Sequence, residues 1–196
     1  MKENQLEDYC TYLHLITKKL NQYFASQTPY IFCKEGCSRC CRKGEYPCSE
    51  LEFAFLKLGY AALDLQTQKQ IVAKVLKINE EKQNYKGTVF NYECPFLIND
   101  RCSVYNYRPL ICRTFGLPYY DEDNNIKVPF CVYDGLNYNQ VYDIERKAIS
   151  VDMYKKTGYE QEPLAFNVSL KFLITKVGVE TMGLDFGEEK TIIDWM

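Results

Sequence analysis

Eight cysteines in two spaced sets, Cys33-x3-Cys37-x2-Cys40-Cys41 and Cys94-x7-Cys102-x9-Cys112-x18-Cys131, constrain this chain more than any other feature. Thiolates at such spacing select soft metals such as zinc, copper(I) or iron–sulfur clusters, and backbone that wraps around a centre cannot also run as a regular helix. Cys37-x2-Cys40 is the spacing at which two sulfurs reach one metal while the intervening N–H groups point at them. Adjacent Cys40 and Cys41 strain the peptide between them if both sulfurs aim at one ion, so they are expected to serve different metals or different roles. Two four-cysteine sites, one cluster with spare thiols, and a polynuclear site with shared ligands all remain open.

Composition narrows the setting. The chain has 196 residues and a net charge of −2, with Lys and Arg scattered rather than gathered on a basic face, so one domain and no nucleic-acid partner are expected. The first residues are polar, and no uncharged apolar run approaches the roughly 20 residues that span a bilayer. A cytoplasmic protein without a membrane span is expected, and in a reducing compartment clustered cysteines bind metal more often than they pair. Were a leader missing, the ten cysteines could form five disulfides, a reading against which the Cys40-Cys41 pair stands. His14 is the single histidine, which argues against imidazole-based hydrolytic zinc centres and against Ser-His-Asp or Cys-His nucleophiles. No Gly-rich nucleotide loop is evident.

Periodicity predicts mainly helical structure. Leu6, Tyr9, Cys10, Leu13, Ile16, Leu20, Tyr23 and Phe24 form an apolar stripe over about residues 3–26, with Cys10 read as a small buried hydrophobe and His14 at its edge. After Pro29 the cysteine-dense segment reads as a loop. Ser49 is a candidate N-cap with Glu52 as its capping-box partner, opening a helix that runs to Leu58, before Gly59. Cys48 just precedes it as a spare thiol or second-rank ligand. A third helix is expected over 65–84. Asn99-Asp100 marks a hairpin whose arms carry Cys94 and Cys102, and Pro109 opens a helical turn presenting Cys112 and Arg113. A second hairpin over 117–129 leads to Cys131. Helices are expected over 137–157 and 163–176, while residues 178–196 give no clear pattern.

Arg39, Arg42, Arg101, Arg108 and Arg113 flank the set cysteines, and cationic neighbours offset thiolate charge; Arg108 and Arg113 are the leading candidates for that role beside the cofactor.

In its middle the chain resembles the YkgJ-type cysteine cluster family, also described as the CxxCxxCC zinc- or iron-chelating domain. Cys94-Pro95-Phe96-Leu97, Arg101-Cys102-Ser103-Val104-Tyr105 and Arg108-Pro109-Leu110-Ile111-Cys112-Arg113 carry the resemblance, over about residues 32–135. Cys33 departs from the family spacing by one residue, and Val132 and Tyr133 replace the usual proline and glycine after Cys131. The resemblance implies a metal-binding protein with an iron–sulfur cluster, 4Fe–4S among the candidates, or zinc. The proposed ligands are Cys33, Cys37, Cys40, Cys41, Cys94, Cys102, Cys112 and Cys131. A distant relative, the flagellin lysine N-methylase, implies a third activity, protein lysine methylation.

The expected architecture is mainly α with small β-hairpins, a single domain over 1–196. Its cysteine core spans 28–135, and helical scaffold at 1–27 and 136–196 packs around a loop-and-hairpin metal region. The leading function is an iron–sulfur protein that transfers electrons or assists modification of a protein or small-molecule partner. The alternative is a structural zinc or metal-handling module whose helices bind a partner; a dithiol oxidoreductase ranks last, since eight cysteines exceed what that exchange needs.

Overall fold

Apolar residues three and four apart force the first element of the computed structural model, which describes residues 4–34 and 36–196. Helix α1, Gln5–Ser26, buries Tyr9, Tyr12, Leu13, Ile16 and Leu20 on one stripe. Cys10 does not share it. The thiol is exposed, because the stripe turns through Tyr9 and Tyr12 and leaves position 10 on the outer flank beside His14, also exposed.

Two compact units emerge from the internal contacts. The first gathers Met1–Glu7, Glu35–Cys112 and Asp185–Met196, so far as these are described. Strand β1, Pro47–Ser49, leads into helix α2, Glu50–Ala61, whose capping box forms as expected between Ser49 and Glu52. The helix continues through Gly59, because the missing side chain there makes room for the Tyr107 ring: a Cβ would lie 2.5 Å from it. Helix α3, Leu65–Asn84, starts at an Asp64 cap. Strands β2, Leu97–Ile98, and β3, Arg101–Cys102, form the first hairpin. Asn99 and Asp100 adopt φ of 50° and 60°, the left-handed pair that a two-residue turn of matching twist demands. Short helix α4, Leu110–Thr114, follows Pro109 and carries Cys112.

The second unit gathers Asp8–Lys34 and Arg113–Leu184. Its first hairpin pairs β4, Tyr119–Tyr120, with β5, Ile126–Lys127, around the expected Asp123–Asn125 turn, where Asp121 accepts the N–H groups of Asp123 and Asn125. The helix expected over 137–157 is instead a second hairpin, β6 Tyr142–Asp143 against β7 Ala148–Ile149, followed by a short α5, Val151–Thr157. Asp143 accepts the N–H groups of Glu145 and Arg146, closing a turn where a helix would have continued. Ile144 and Val151, placed on the buried face in the helical reading, are exposed. The expected helix over 163–176 is displaced too: Phe166 bridges Tyr119, and helical backbone starts only after Ser169, continuing as a π-helix, Phe172–Val179, and a last turn, α6 Glu180–Met182. Tyr30, Tyr138 and Val141 form a small buried cluster in this unit.

From Asp185 on, the tail without a clear pattern is ordered structure of the first unit. Strand β8, Glu189–Thr191, pairs antiparallel with β1. A closing turn, Ile193–Trp195, stacks Trp195 on Phe53, and its indole N–H donates to the Cys48 carbonyl at 2.7 Å. Cys48 is fully buried in that core.

One buried side chain ties the unit together. The Glu52 carboxylate accepts the Ser49 N–H at 2.9 Å and hydroxyl at 2.7 Å, and with its other oxygen the Leu110 N–H at 2.8 Å. Burial pushes its pKa up from 4.5, against these hydrogen bonds. A carboxylate raised in the folded state contributes stability below its ordinary value and loses it as pH rises through the raised one. Glu52→Ala strands two buried N–H donors and is expected to cost about 3 kcal/mol, read as a lower urea midpoint with an unchanged slope. Glu52→Gln is expected to remove the stability loss that wild type shows as pH rises above 4.5.

Candidate metal centre

The cysteine loop is shaped by backbone hydrogen bonds before any thiol is considered. Cys40–Arg42 form a 3-10 turn in which the Cys41 N–H donates to Ser38 O at 3.0 Å. The Cys41 carbonyl then accepts the Cys94 N–H at 2.7 Å, and the Gly44 N–H reaches Tyr92 O. Arg42 locks the same loop to the hairpin, donating to Ser38 Oγ and Glu93 and pairing with Asp100. Lys74 meets Glu93 from α3. Arg42 is thus committed to carboxylates rather than to the thiols.

In the first unit five of the eight predicted ligands lie within electrostatic reach of one another. The Cys40 and Cys41 sulfurs are 4.0 Å apart, near the ~3.8 Å edge of a tetrahedron built on zinc–sulfur bonds of about 2.3 Å. Cys94, Cys102 and Cys112 lie close enough to Cys40 to act on or be acted upon by it electrostatically. The Cys94 sulfur accepts the Phe96 N–H, and the Cys102 sulfur that of Val104, so each hairpin arm aims a backbone donor at its own thiol two residues back. Such donors stabilise a thiolate.

Burial opposes ionisation. Although part of each residue stays accessible, protein atoms crowd the sulfurs, and the Cys94 thiol is pushed up from 9.0 to about 12. The Cys112 thiol is driven well up by burial and then by Cys94, Cys102 and Cys40. Cys40 is raised first by its contact with the Cys41 thiol, then by burial. Arg108 works the other way on Cys102 and Cys112. Its guanidinium lies 3.4 Å from the centre of the Tyr105 ring, which holds the charge beside the thiols.

The other predicted residues lie elsewhere. Cys37 is half-buried in the first unit. Cys33 and Cys131 belong to the second. There the exposed Cys33 sulfur accepts the Asn137 amide N–H at 3.3 Å, and the same amide holds Gly116 O and the Phe32 N–H. Cys131 is buried in a 3-10 turn, Phe130–Asp134. Arg113, also in the second unit, donates to Thr17 Oγ1 at 3.3 Å.

Sequence reading missed Tyr46 and Asn137. Tyr46 donates its hydroxyl towards the Cys40 carbonyl at 2.6 Å; with 17 tyrosines in the chain, nothing in the sequence marks this one. Asn137 was read only as the start of a helix.

Among the described residues no three His, Cys, Asp or Glu side chains already form a ligand set around one point. The clustered thiols nevertheless fit a soft metal in kind: sulfur donors, N–H groups aimed at two of them and a guanidinium alongside. Loading releases the protons that burial holds on the sulfurs, so affinity falls with falling pH. Arg108→Gln removes the charge that favours the Cys102 and Cys112 thiolates. Its zinc affinity is expected to drop, by a similar factor at pH 6 and at pH 8 because both lie below the raised thiol values, in competition titrations with a chromophoric chelator.

Residues 32–132, just over half of the chain, match the model of the CxxCxxCC family, described as "Putative zinc- or iron-chelating domain". No curated protein and no solved structure matches the chain. Among the described residues no helix is long and apolar enough to cross a membrane. With its cysteine elements and their spacing matched over residues 32–132, the chain belongs to the CxxCxxCC family of zinc- or iron-chelating domains.

Proposed function

We propose that the first unit holds an iron–sulfur cluster on thiolates drawn from Cys40, Cys41, Cys94, Cys102 and Cys112, and that the cluster serves electron transfer. The observation that carries this reading is five thiols within electrostatic reach of one another in one compact unit, with N–H groups aimed at two of the sulfurs, the all-sulfur surroundings that an iron–sulfur cluster takes. When bound, the cluster supplies a one-electron couple. The protein supplies what tunes it: N–H donors from Phe96 and Val104 at two sulfurs, the Arg108 charge, and low solvent access. Cys37 is an additional ligand candidate in the same unit; in the second unit the Asn137 amide N–H at Cys33 is the same kind of contact. Each of these contacts favours an ionised sulfur.

Anaerobic purification followed by iron and acid-labile sulfide analysis tests the proposal, with a broad visible absorption expected that bleaches on reduction. Stoichiometric zinc without sulfide in a fully loaded sample overturns it in favour of a structural zinc centre. Cys94→Ser and Cys112→Ser are expected to lose the cluster. Cys10→Ser, at an exposed position on α1, is expected to keep it.

A further inference from the structure

We infer that Tyr46 is a positioning residue of the thiol cluster, its hydroxyl fixing the peptide between Cys40 and Cys41 and so the directions in which the two adjacent sulfurs point. The inference rests on the reading of this region as a metal centre.

That peptide carries the Cys40 carbonyl and the Cys41 N–H in one plane. The carbonyl accepts from the Tyr46 hydroxyl at 2.6 Å, and the N–H donates to Ser38 O at 3.0 Å. Rotating the plane breaks both bonds at once, so the pair of side chains that leave it on either side have a defined aim. The hydroxyl also lies 3.0 Å from Lys43 O, so one side chain spans the 3-10 turn from its first residue to the residue that follows it. The next carbonyl, that of Cys41, is held by the Cys94 N–H. Adjacent cysteines are the awkward feature of the sequence, because their shared peptide must be held against strain if both sulfurs are to reach one centre. Tyr46 is the side chain that holds it.

Two features commit the tyrosine to this place. Its ring lies against Gly44, where a Cβ would come within 2.4 Å of Cε2 and Cζ, so only glycine lets the ring cover the turn. Its backbone is anchored at the other end: the Tyr46 carbonyl accepts the Ile192 N–H, and the next residue, Pro47, is in register with Thr191. The hydroxyl lies near enough to Cys40, Cys112, Cys41 and Cys94 to sense each of them. One side chain thus joins the strand framework to the peptide that Cys40 and Cys41 share.

Tyr46→Phe keeps the ring and removes only the hydroxyl. Groups that orient metal ligands typically change affinity by about 10- to 100-fold, so zinc binding by the full chain is expected to weaken about tenfold in competition titrations. The Co(II)-loaded variant is expected to lose sulfur-to-cobalt charge-transfer intensity, since fewer thiolates reach the ion. A merely structural hydroxyl would not move that signature. Tyr138→Phe is the control: it removes another buried hydroxyl, bonded to Gln27 Oε1 in the second unit, and is expected to leave affinity and spectrum unchanged. Gly44→Ala, which pushes the ring off the turn while keeping the hydroxyl, is expected to reproduce the loss; if it fails to fold, Tyr46→Phe decides. Wild-type affinity together with a wild-type cobalt spectrum in Tyr46→Phe overturns the inference and leaves the metal centre standing. A wild-type chain that binds neither zinc nor cobalt and assembles no iron–sulfur cluster overturns both.

Discussion

A carboxylate without solvent holds the first unit in register. Glu52 completes the cap of α2 with one oxygen and receives the first N–H of α4 with the other, so the helix that follows the cysteine loop and the turn that presents Cys112 share one acceptor. A buried carboxylate is costly unless its lone pairs are occupied. Here the donors are backbone and hydroxyl groups rather than a cation, so the bond is directional and fixes distance as well as attraction. The placement of Cys112 relative to β1 follows from it, and with Cys112 the closing side of the thiol group.

The thiols pull against this order. Sulfurs gathered under protein atoms retain their protons, and each new thiolate would raise the cost of the next. The devices that offset this are local: two N–H donors two residues beyond their thiols, one guanidinium lying on a tyrosine ring, and a peptide pinned at both ends. None resembles a bond between thiols; the N–H donors and the guanidinium favour sulfur that has given up its proton, and the pinned peptide fixes where two sulfurs point. A region built in this way is unsettled by burial alone and settled by a cation, which is the physical content of belonging to a chelating family.

The hydrophobic period and cap chemistry made α1, α2, α3 and the Asn99-Asp100 hairpin legible, because each is decided by neighbours in sequence. Residues 137–157 were not. Val141, Ile144, Ala148 and Val151 do recur at helical steps, yet Asp143 caps the N–H groups ahead of it and turns the chain back. The last strand was invisible for another reason: Glu189–Thr191 carries no alternation of its own and exists only through its partner β1. For the site, spacing identified the thiols but not their supports. Asn137 and Tyr46 act through contacts 104 and six residues away, and neither residue type announces such work.

The pairing of β1 with β8 has a bearing on how the protein is made. Pro47 meets Thr191, a partner that leaves the ribosome about 140 residues later. Until then Tyr46 lacks its backbone anchor at Ile192 and the Phe53 ring lacks its cover of Trp195. The cysteines of the loop, hairpin and α4 are therefore all synthesised while the framework behind them is still open. Until β8 has been made, these thiols stand on a framework that lacks its closing strand.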